Sequence, residues 1–258
     1  MSYIQQEFSQ GVCTLRMNRP EKFNSFVRDM AMDLQVKLDE AAADDSVRCI
    51  VLTGVGKAFC AGQDLAEATD PNGPELSNIV SEHYNPIIQR IRRIEKPVIA
   101  AVNGVAAGAG ANIALACDIV LATESASFIQ AFSKIGLIPD SGGTFFLPRL
   151  VGWQRASALM MTGEKVSATD AVSIGMIYKA IPDDQFEASV LEMANQLAQM
   201  PTKGLGLTKR ALNQSFGNNL SQQLDLEDEL QSQAGRTDDY AEGTRAFLEK
   251  RKPEFKGH

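Results

Sequence analysis

The sequence predicts an α/β fold whose later part is helical. Three observations carry this expectation. Short β-branched runs, such as residues 48–53 (RCIVLT) and 98–102 (VIAAV), recur through the first half. Apolar residues at helical spacing fall between those runs. From about residue 201 the amphipathic patterns continue while strand signals stop.

In chain order, residues 3–8 and 11–17 read as two strands joined by a turn at Ser9-Gln10, and Asn18-Arg19-Pro20 ends the second. Val27, Met30, Ala31, Leu34 and Leu38 then fall on one helical face. A strand at 48–53 follows, punctuated by Gly54 and Gly56. A helix is expected over 76–94, kinked or divided by Pro86, which has no N–H to donate. Residues 98–102 form the next strand and Asn103-Gly104 a turn. A helix of small residues spans 109–117, and another strand 118–123. The later helices carry a Leu220, Leu224, Leu230 stripe and a Tyr240, Thr244, Phe247, Leu248 stripe. The division expected is a core over 1–200 and a helical subdomain over 201–258. The loop at 66–80, rich in Asp, Pro, Asn and Gly, is expected to be mobile until ligand binds.

Composition excludes several classes. Hydrophobic residues make up 44% and charged residues 22%, values of an ordinary globular protein rather than a disordered one. A net charge of -7 disfavours a nucleic-acid partner. The four cysteines contain no CxxC pair and read as buried thiols of a reducing compartment. With His83 and His258 the only histidines, no metal site and no His-based triad is expected. His83 reads as a helix-face residue. The N-terminus has no basic segment leading into an apolar one, and the apolar stretch at 97–117 is broken by Asn103 and glycines. A cytoplasmic protein without a membrane span is the expectation.

Two segments invite chemistry. Residues 57–65 (KAFCAGQDL) and 102–112 (VNGVAAGAGAN) each follow a strand and turn on small residues. The second leads into a helix, whose first N–H groups lack internal partners and favour negative charge. One backbone donor from each segment would suit an oxygen that gains charge. The competing reading is that residues 108–111 are small only to let helices pack. A dinucleotide fingerprint and a Walker A loop are both missing.

These segments resemble the enoyl-CoA hydratase/isomerase (crotonase) superfamily. The likeness runs through Asn18-Arg19-Pro20, Asn24-Ser25, the AGQDL segment, 97–112, Cys117-Asp118-Ile119, 136–139 with Gly142-Gly143-Thr144, and Gly175-Met176-Ile177. It implies a crotonase-like ββα spiral with a C-terminal helical subdomain, assembled as a homotrimer or dimer of trimers. It also implies an acyl-CoA substrate whose coenzyme A is part of the substrate, so no separate cofactor is expected. The oxyanion-hole donors it implies are the backbone N–H groups of Ala61 and Ala109.

The resemblance puts the two glutamates of the family's hydratases at Asn112 and Phe132 here. Neither residue titrates near neutral pH, which argues against simple hydration. Asp140 stands where those hydratases have a small residue. It reads either as a turn or helix-capping residue, or as a lone general acid/base whose pKa is raised by apolar neighbours such as Phe132 and Ile138. One carboxylate is enough to move a proton between two carbons, so isomerisation is the expected chemistry. Long stretches, including 59–65, 84–86, 131–140 and 234–248, resemble the branch that converts 2-(1,2-epoxy-1,2-dihydrophenyl)acetyl-CoA to oxepin-CoA in phenylacetate catabolism. Functional coupling to other enzymes of that pathway is implied with it. A Δ3,Δ2-enoyl-CoA isomerase of fatty-acid degradation and a non-catalytic scaffold are the alternatives.

The same resemblance assigns substrate contacts to Lys22, Phe23, Ala61, Gln63, Asp64, Leu65, Gly108, Asn112, Phe132, Phe247 and Lys250. For several of these a plainer reading stays open. Lys22 also reads as a solvated residue, Asp64 as an anchor of its own loop, and Phe247 with Lys250 as the end of an amphipathic helix.

Overall fold

The structure, a computed structural model, describes residues 2–258. It opens with a hairpin of β1 (Ile4–Ser9) and β2 (Val12–Met17), paired antiparallel with Ser9 opposite Val12. The turn lies at Gln10-Gly11, one residue later than the sequence suggested, and both residues have positive φ (50° and 80°). A two-residue hairpin needs that geometry at both central positions, and Gly11 adopts it without steric cost. Helix α1 (Arg28–Ala43) then buries Met30, Ala31, Leu34 and Leu38 as their spacing required.

From there the chain repeats one manoeuvre. β3 (Cys49–Gly54) leads to β4 (Ala58–Cys60), the short helix α2 (Leu65–Ala68), α3 (Leu76–Asn78), a π turn (Ile79–Tyr84) and α4 (Asn85–Arg93). β5 (Val98–Val102) leads to β6 (Val105–Ala107) and α5 (Ala109–Ala116). β7 (Ile119–Thr123) leads to β8 (Ser127–Ile129), and α6 (Gly143–Val151), α7 (Trp153–Thr162), β9 (Lys165–Ser167), α8 (Ala168–Ser173) and β10 (Lys179–Ile181) follow. The first strand of each pair joins a sheet of order β1-β2-β3-β5-β7-β10, and the second a sheet of order β4-β6-β8-β9. This is a ββα spiral of two stacked sheets. α9 (Phe186–Ala198) closes the outer face of the larger sheet, and α10 (Thr202–Ser215), α11 (Leu220–Ala234) and α12 (Asp238–Glu249) complete the chain.

The strands of the smaller sheet escaped the sequence reading because they are three residues long, too short to show a period. The corners between sheets explain two of the glycines. A Cβ on Gly54 would lie 2.2 Å from the Ala58 carbonyl oxygen, and one on Gly104 2.1 Å from that of Lys57. Asn103 ties these corners together, its amide donating to the carbonyls of Gly54 and Gly56 at 2.9 Å each.

The helix expected over 76–94 is divided, as Pro86 required, by the π turn at 79–84. In an unbroken α-helix an N–H at position 86 would take the Glu82 carbonyl. Here the Gln35 amide of α1 donates to that carbonyl at 2.8 Å and to that of His83 at 3.2 Å. His83 is wholly buried rather than on an open face, with Nε2 3.3 Å from an Arg28 guanidinium nitrogen. Residues 66–80, expected as a loop, contain most of α2, a turn held by the Gly73 N–H donating to the Asp70 carbonyl, and α3. Of the two C-terminal stripes, only Leu230 is buried. Leu220, Leu224, Tyr240, Phe247 and Leu248 all face outward in the single chain.

Candidate active site

The smaller sheet brings the two chemistry-bearing segments together. β4 and β6 are parallel neighbours, so the 61–64 segment and the start of α5 emerge from the same sheet edge. Gly110 permits the contact: a Cβ there would lie 2.3 Å from the Cys60 carbonyl oxygen. A Cβ on Gly62, which has φ of +91°, would lie 3.0 Å from the Ala107 carbonyl oxygen and 3.5 Å from the Ala109 nitrogen. Close packing and close approach of the two backbones are therefore one feature here.

Which N–H groups remain free corrects the sequence reading. The Ala61 N–H donates to the Phe23 carbonyl at 3.0 Å, so it is not available to a ligand. Two residues on, Gln63 forms a parallel bridge with Phe26. In that bridge the Phe26 N–H donates to the Gly62 carbonyl (2.7 Å) and the Asp64 N–H to the Phe26 carbonyl (2.8 Å). A trans peptide points its N–H opposite to its C=O. The Gly62 carbonyl faces Phe26, so the Gln63 N–H faces away from it and has no acceptor among the described residues. The Ala109 N–H is likewise without an acceptor, because Ala109 opens α5. The free pair is thus Gln63 and Ala109. The signal in the sequence was Gly62: its left-handed turn reverses which N–H groups face α5.

The Asp140 loop is tied to the helix that Ala109 opens. Asn112, in the first turn and a half of α5, donates its amide Nδ2 to the Asp140 carbonyl oxygen at 2.9 Å, and its Oδ1 accepts from Gln130 Nε2 at 2.8 Å. Both ends of the buried Asn112 amide are occupied, so it anchors the Asp140 loop rather than meeting substrate, a correction to its expected place among the substrate contacts. Gly143 fits over the same amide, with room for no Cβ: one would lie 2.3 Å from Asn112 Nδ2.

The Asp140 side chain does not cap a helix. α6 starts from Gly142 without a side-chain cap, and the Asp140 carboxylate accepts only the Ser141 hydroxyl, at 2.8 Å. Burial raises its pKa above the ordinary value, partly offset by the Ser141 bond. The apolar neighbours differ from expectation. Phe132 is buried, with its ring edge 3.8 Å from where a Gly108 Cβ would stand, whereas Ile138 is 81% exposed and turns to solvent.

The remaining expected residues divide. Asp64 follows its plainer reading: one oxygen accepts the Ala66 N–H at 3.0 Å and the other pairs with Arg19 at 2.9 Å. The Arg19 guanidinium is the chief reason its pKa lies below the ordinary value. Phe23, left-handed at φ 50°, and Leu65 are exposed beside the 61–64 segment, and Lys22 precedes Phe23 in a short 3-10 turn. Phe247 instead lines a separate apolar groove with Tyr240, Leu248 and Phe255, and Lys250 ends α12 beside it. One chain does not bring Phe247 and Lys250 to the Asp140 site. Among the described residues no cluster of His, Cys, Asp and Glu is arranged to hold a metal, and no helix is long and apolar enough to cross a membrane.

Sequence reasoning missed Tyr84 and Glu67. The Tyr84 hydroxyl donates to Gln63 Oε1 at 2.7 Å, and Gln63 Nε2 donates to Glu67 Oε2 at 2.8 Å. The i, i+4 spacing of Gln63 and Glu67 was the available signal for one contact, whereas Tyr84 lies 21 residues from Gln63 and no local pattern pointed to it.

Comparison with known proteins shows the family. The family model for enoyl-CoA hydratase/isomerase matches residues 7–258. The chain is 49% identical over 260 residues to the 1,2-epoxyphenylacetyl-CoA isomerase of Escherichia coli, covering 100% of this chain and 99% of that protein. It is 37% identical to the trans-2-decenoyl-[acyl-carrier-protein] isomerase of Streptococcus mutans, covering 96% and 95%. The crystal structure of an enoyl-CoA hydratase from Bacillus anthracis superposes with a TM-score of 0.92 at 33% identity, covering 99% of this chain and 100% of that one. The chain belongs to the enoyl-CoA hydratase/isomerase family.

Proposed function

We propose that this protein is an isomerase of acyl-CoA thioesters, acting on 2-(1,2-epoxy-1,2-dihydrophenyl)acetyl-CoA to give oxepin-CoA in phenylacetate catabolism. The observation that carries the reading is one half-buried carboxyl, Asp140, anchored through Asn112 to the helix whose first N–H is free. The Gln63 and Ala109 N–H groups receive the thioester oxygen. Their donation stabilises the charge that develops there when a neighbouring carbon loses its proton. Asp140, kept basic by burial, takes that proton and returns it at another carbon. Phe132 covers the oxyanion side with hydrocarbon and offers no second titrating group, so water is not activated.

The 49% identity to a 1,2-epoxyphenylacetyl-CoA isomerase supports the substrate. A double-bond shift between β,γ and α,β positions needs the same parts, and the likeness to a decenoyl isomerase favours it as a second activity. Lys22, Phe23 and Leu65 stand at the rim where pantetheine would enter. Coenzyme A arrives with the substrate, and no separate cofactor is invoked. Phe247 and Lys250 reach a CoA only across a subunit contact, which fits assembly as a trimer or dimer of trimers. The outward-facing Trp153, Met161, Phe247 and Leu248 support such assembly.

The test is chromatographic turnover of the epoxide and of a β,γ-enoyl-CoA by wild type and Asp140→Asn. Loss of both reactions with CoA-ester binding retained is the expected result. Full activity in the variant overturns the role of Asp140, and absence of CoA-ester binding by wild type overturns the enzyme reading in favour of a scaffold.

A further inference from the structure

Tyr84 ends the π turn with its ring wholly buried and edge-on to Phe26, centroids 5.8 Å apart. Its one hydroxyl proton is committed to Gln63 Oε1, and burial raises the phenol pKa well above the ordinary value. It is therefore not a proton donor to substrate. At the other end of the same amide, Gln63 Nε2 is held by Glu67. Glu67 in turn accepts the N–H of Arg28, the first residue of α1, at 2.9 and 3.2 Å. The Gln63 side chain is thus clamped between the π turn and the start of α1.

We propose that Tyr84 is a positioning residue, acting through the Gln63 side chain to hold the Gln63 N–H in register with that of Ala109. The proposal rests on the reading of those two groups as oxyanion donors. Gly62, immediately before, has no Cβ and sits at positive φ, so it restrains the following residue little by itself. The Phe26 bridge fixes the peptide plane from one side. The clamped amide fixes the Cα–Cβ direction from the other. With both in place, rotation about the Gln63 N–Cα bond is closed off and the N–H cannot tilt from the oxygen it serves. The Gln35 contacts that support the π turn hold the far end of this strut.

The test is a double-mutant cycle on the full chain, reading kcat and KM separately. Tyr84→Phe keeps the ring and removes the hydroxyl, and Gln63→Met keeps the bulk and removes the amide. The expected result for Tyr84→Phe is a kcat lowered about tenfold with KM within about twofold, since an ångström of misplacement costs up to about a hundredfold. The double variant should be no slower than Gln63→Met alone, because Tyr84 acts only through Gln63. Wild-type kcat in Tyr84→Phe, or additive losses in the double variant, overturns the proposal. If Tyr84→Phe does not fold, Glu67→Gln releases the other end and must show the same non-additivity with Gln63→Met. Gly110→Ala separates the two failures. If it slows turnover while the cycle is silent, the clamp is wrong and the oxyanion pair stands; if it too is silent, the pair itself is wrong.

Discussion

Replacing Gly110 by alanine tests whether close packing and oxyanion geometry are one feature. The new Cβ would stand 2.3 Å from the Cys60 carbonyl oxygen and 2.7 Å from the Cys60 Cβ. Neither atom belongs to a flexible chain end, so α5 must retreat by about 1 Å to restore ordinary contact. Overpacking of this kind costs about 1–3 kcal/mol, against which alanine returns up to about 1 kcal/mol of helix propensity. The catalytic consequence is larger. Ala109 immediately precedes Gly110, and its N–H moves with the helix end. Losing one oxyanion donor costs about 3–4 kcal/mol, so kcat should fall roughly 100- to 1,000-fold. Steady-state turnover of a CoA ester, with a thermal melt alongside, reads both terms. A lowered melting temperature with wild-type kcat would refute the Gln63–Ala109 donor pair, and with it the argument that the Gly110 contact sets its spacing.

Three further outcomes follow from the same structure. Asp140 has a folded-state pKa above its unfolded value, so the carboxyl favours the native state when protonated and loses that contribution as pH rises through the folded pKa. Asp140→Asn should therefore be more stable than wild type at pH 7, with the gain shrinking below the ordinary carboxylate pKa; equal unfolding midpoints at both pH values would contradict this. Asp64 is the opposite case, because Arg19 and the Ala66 N–H lower its pKa, so its stabilisation is present above the ordinary value and disappears as pH falls through the depressed one. Asp64→Asn should cost about 1–3 kcal/mol at pH 7 in urea denaturation and much less near pH 2, and no cost at pH 7 would remove its anchoring role. All four cysteines are buried, and burial pushes the thiols of Cys49, Cys60 and Cys117 up to about 12. A thiol reagent at pH 8 should label none of them in the native protein and all four in denaturant, and rapid native labelling would show that these interiors open.

The elements most legible in the sequence were those whose burial has a period. α1 placed Met30, Leu34 and Leu38 on one face, β3 and β5 announced themselves by branched side chains, and Pro86 marked the break in the following helix. The three-residue strands β4, β6 and β8 were not legible, because their pairing is decided by partners about 20 to 50 residues away. The stripes on α11 and α12 were legible as amphipathic. Which of their residues become buried depends on what the rest of the fold lays against them, and Leu220 and Phe247 stay exposed in the chain.

For the site, the family resemblance indicated Asp140 as the remaining carboxyl, with Asn112 and Phe132, which do not titrate near neutral pH, at the positions of the hydratases' glutamates. Composition also set aside histidine- and thiolate-based chemistry, since two histidines and scattered cysteines form no such group. What only the tertiary structure decided was which N–H groups are free. Ala61 and Gln63 are two residues apart in one short segment, and their roles depend on whether each peptide faces Phe23 and Phe26 or α5. The direction of a peptide bond is a property of its partners in space, and so is the clamp of Tyr84 and Glu67 on Gln63.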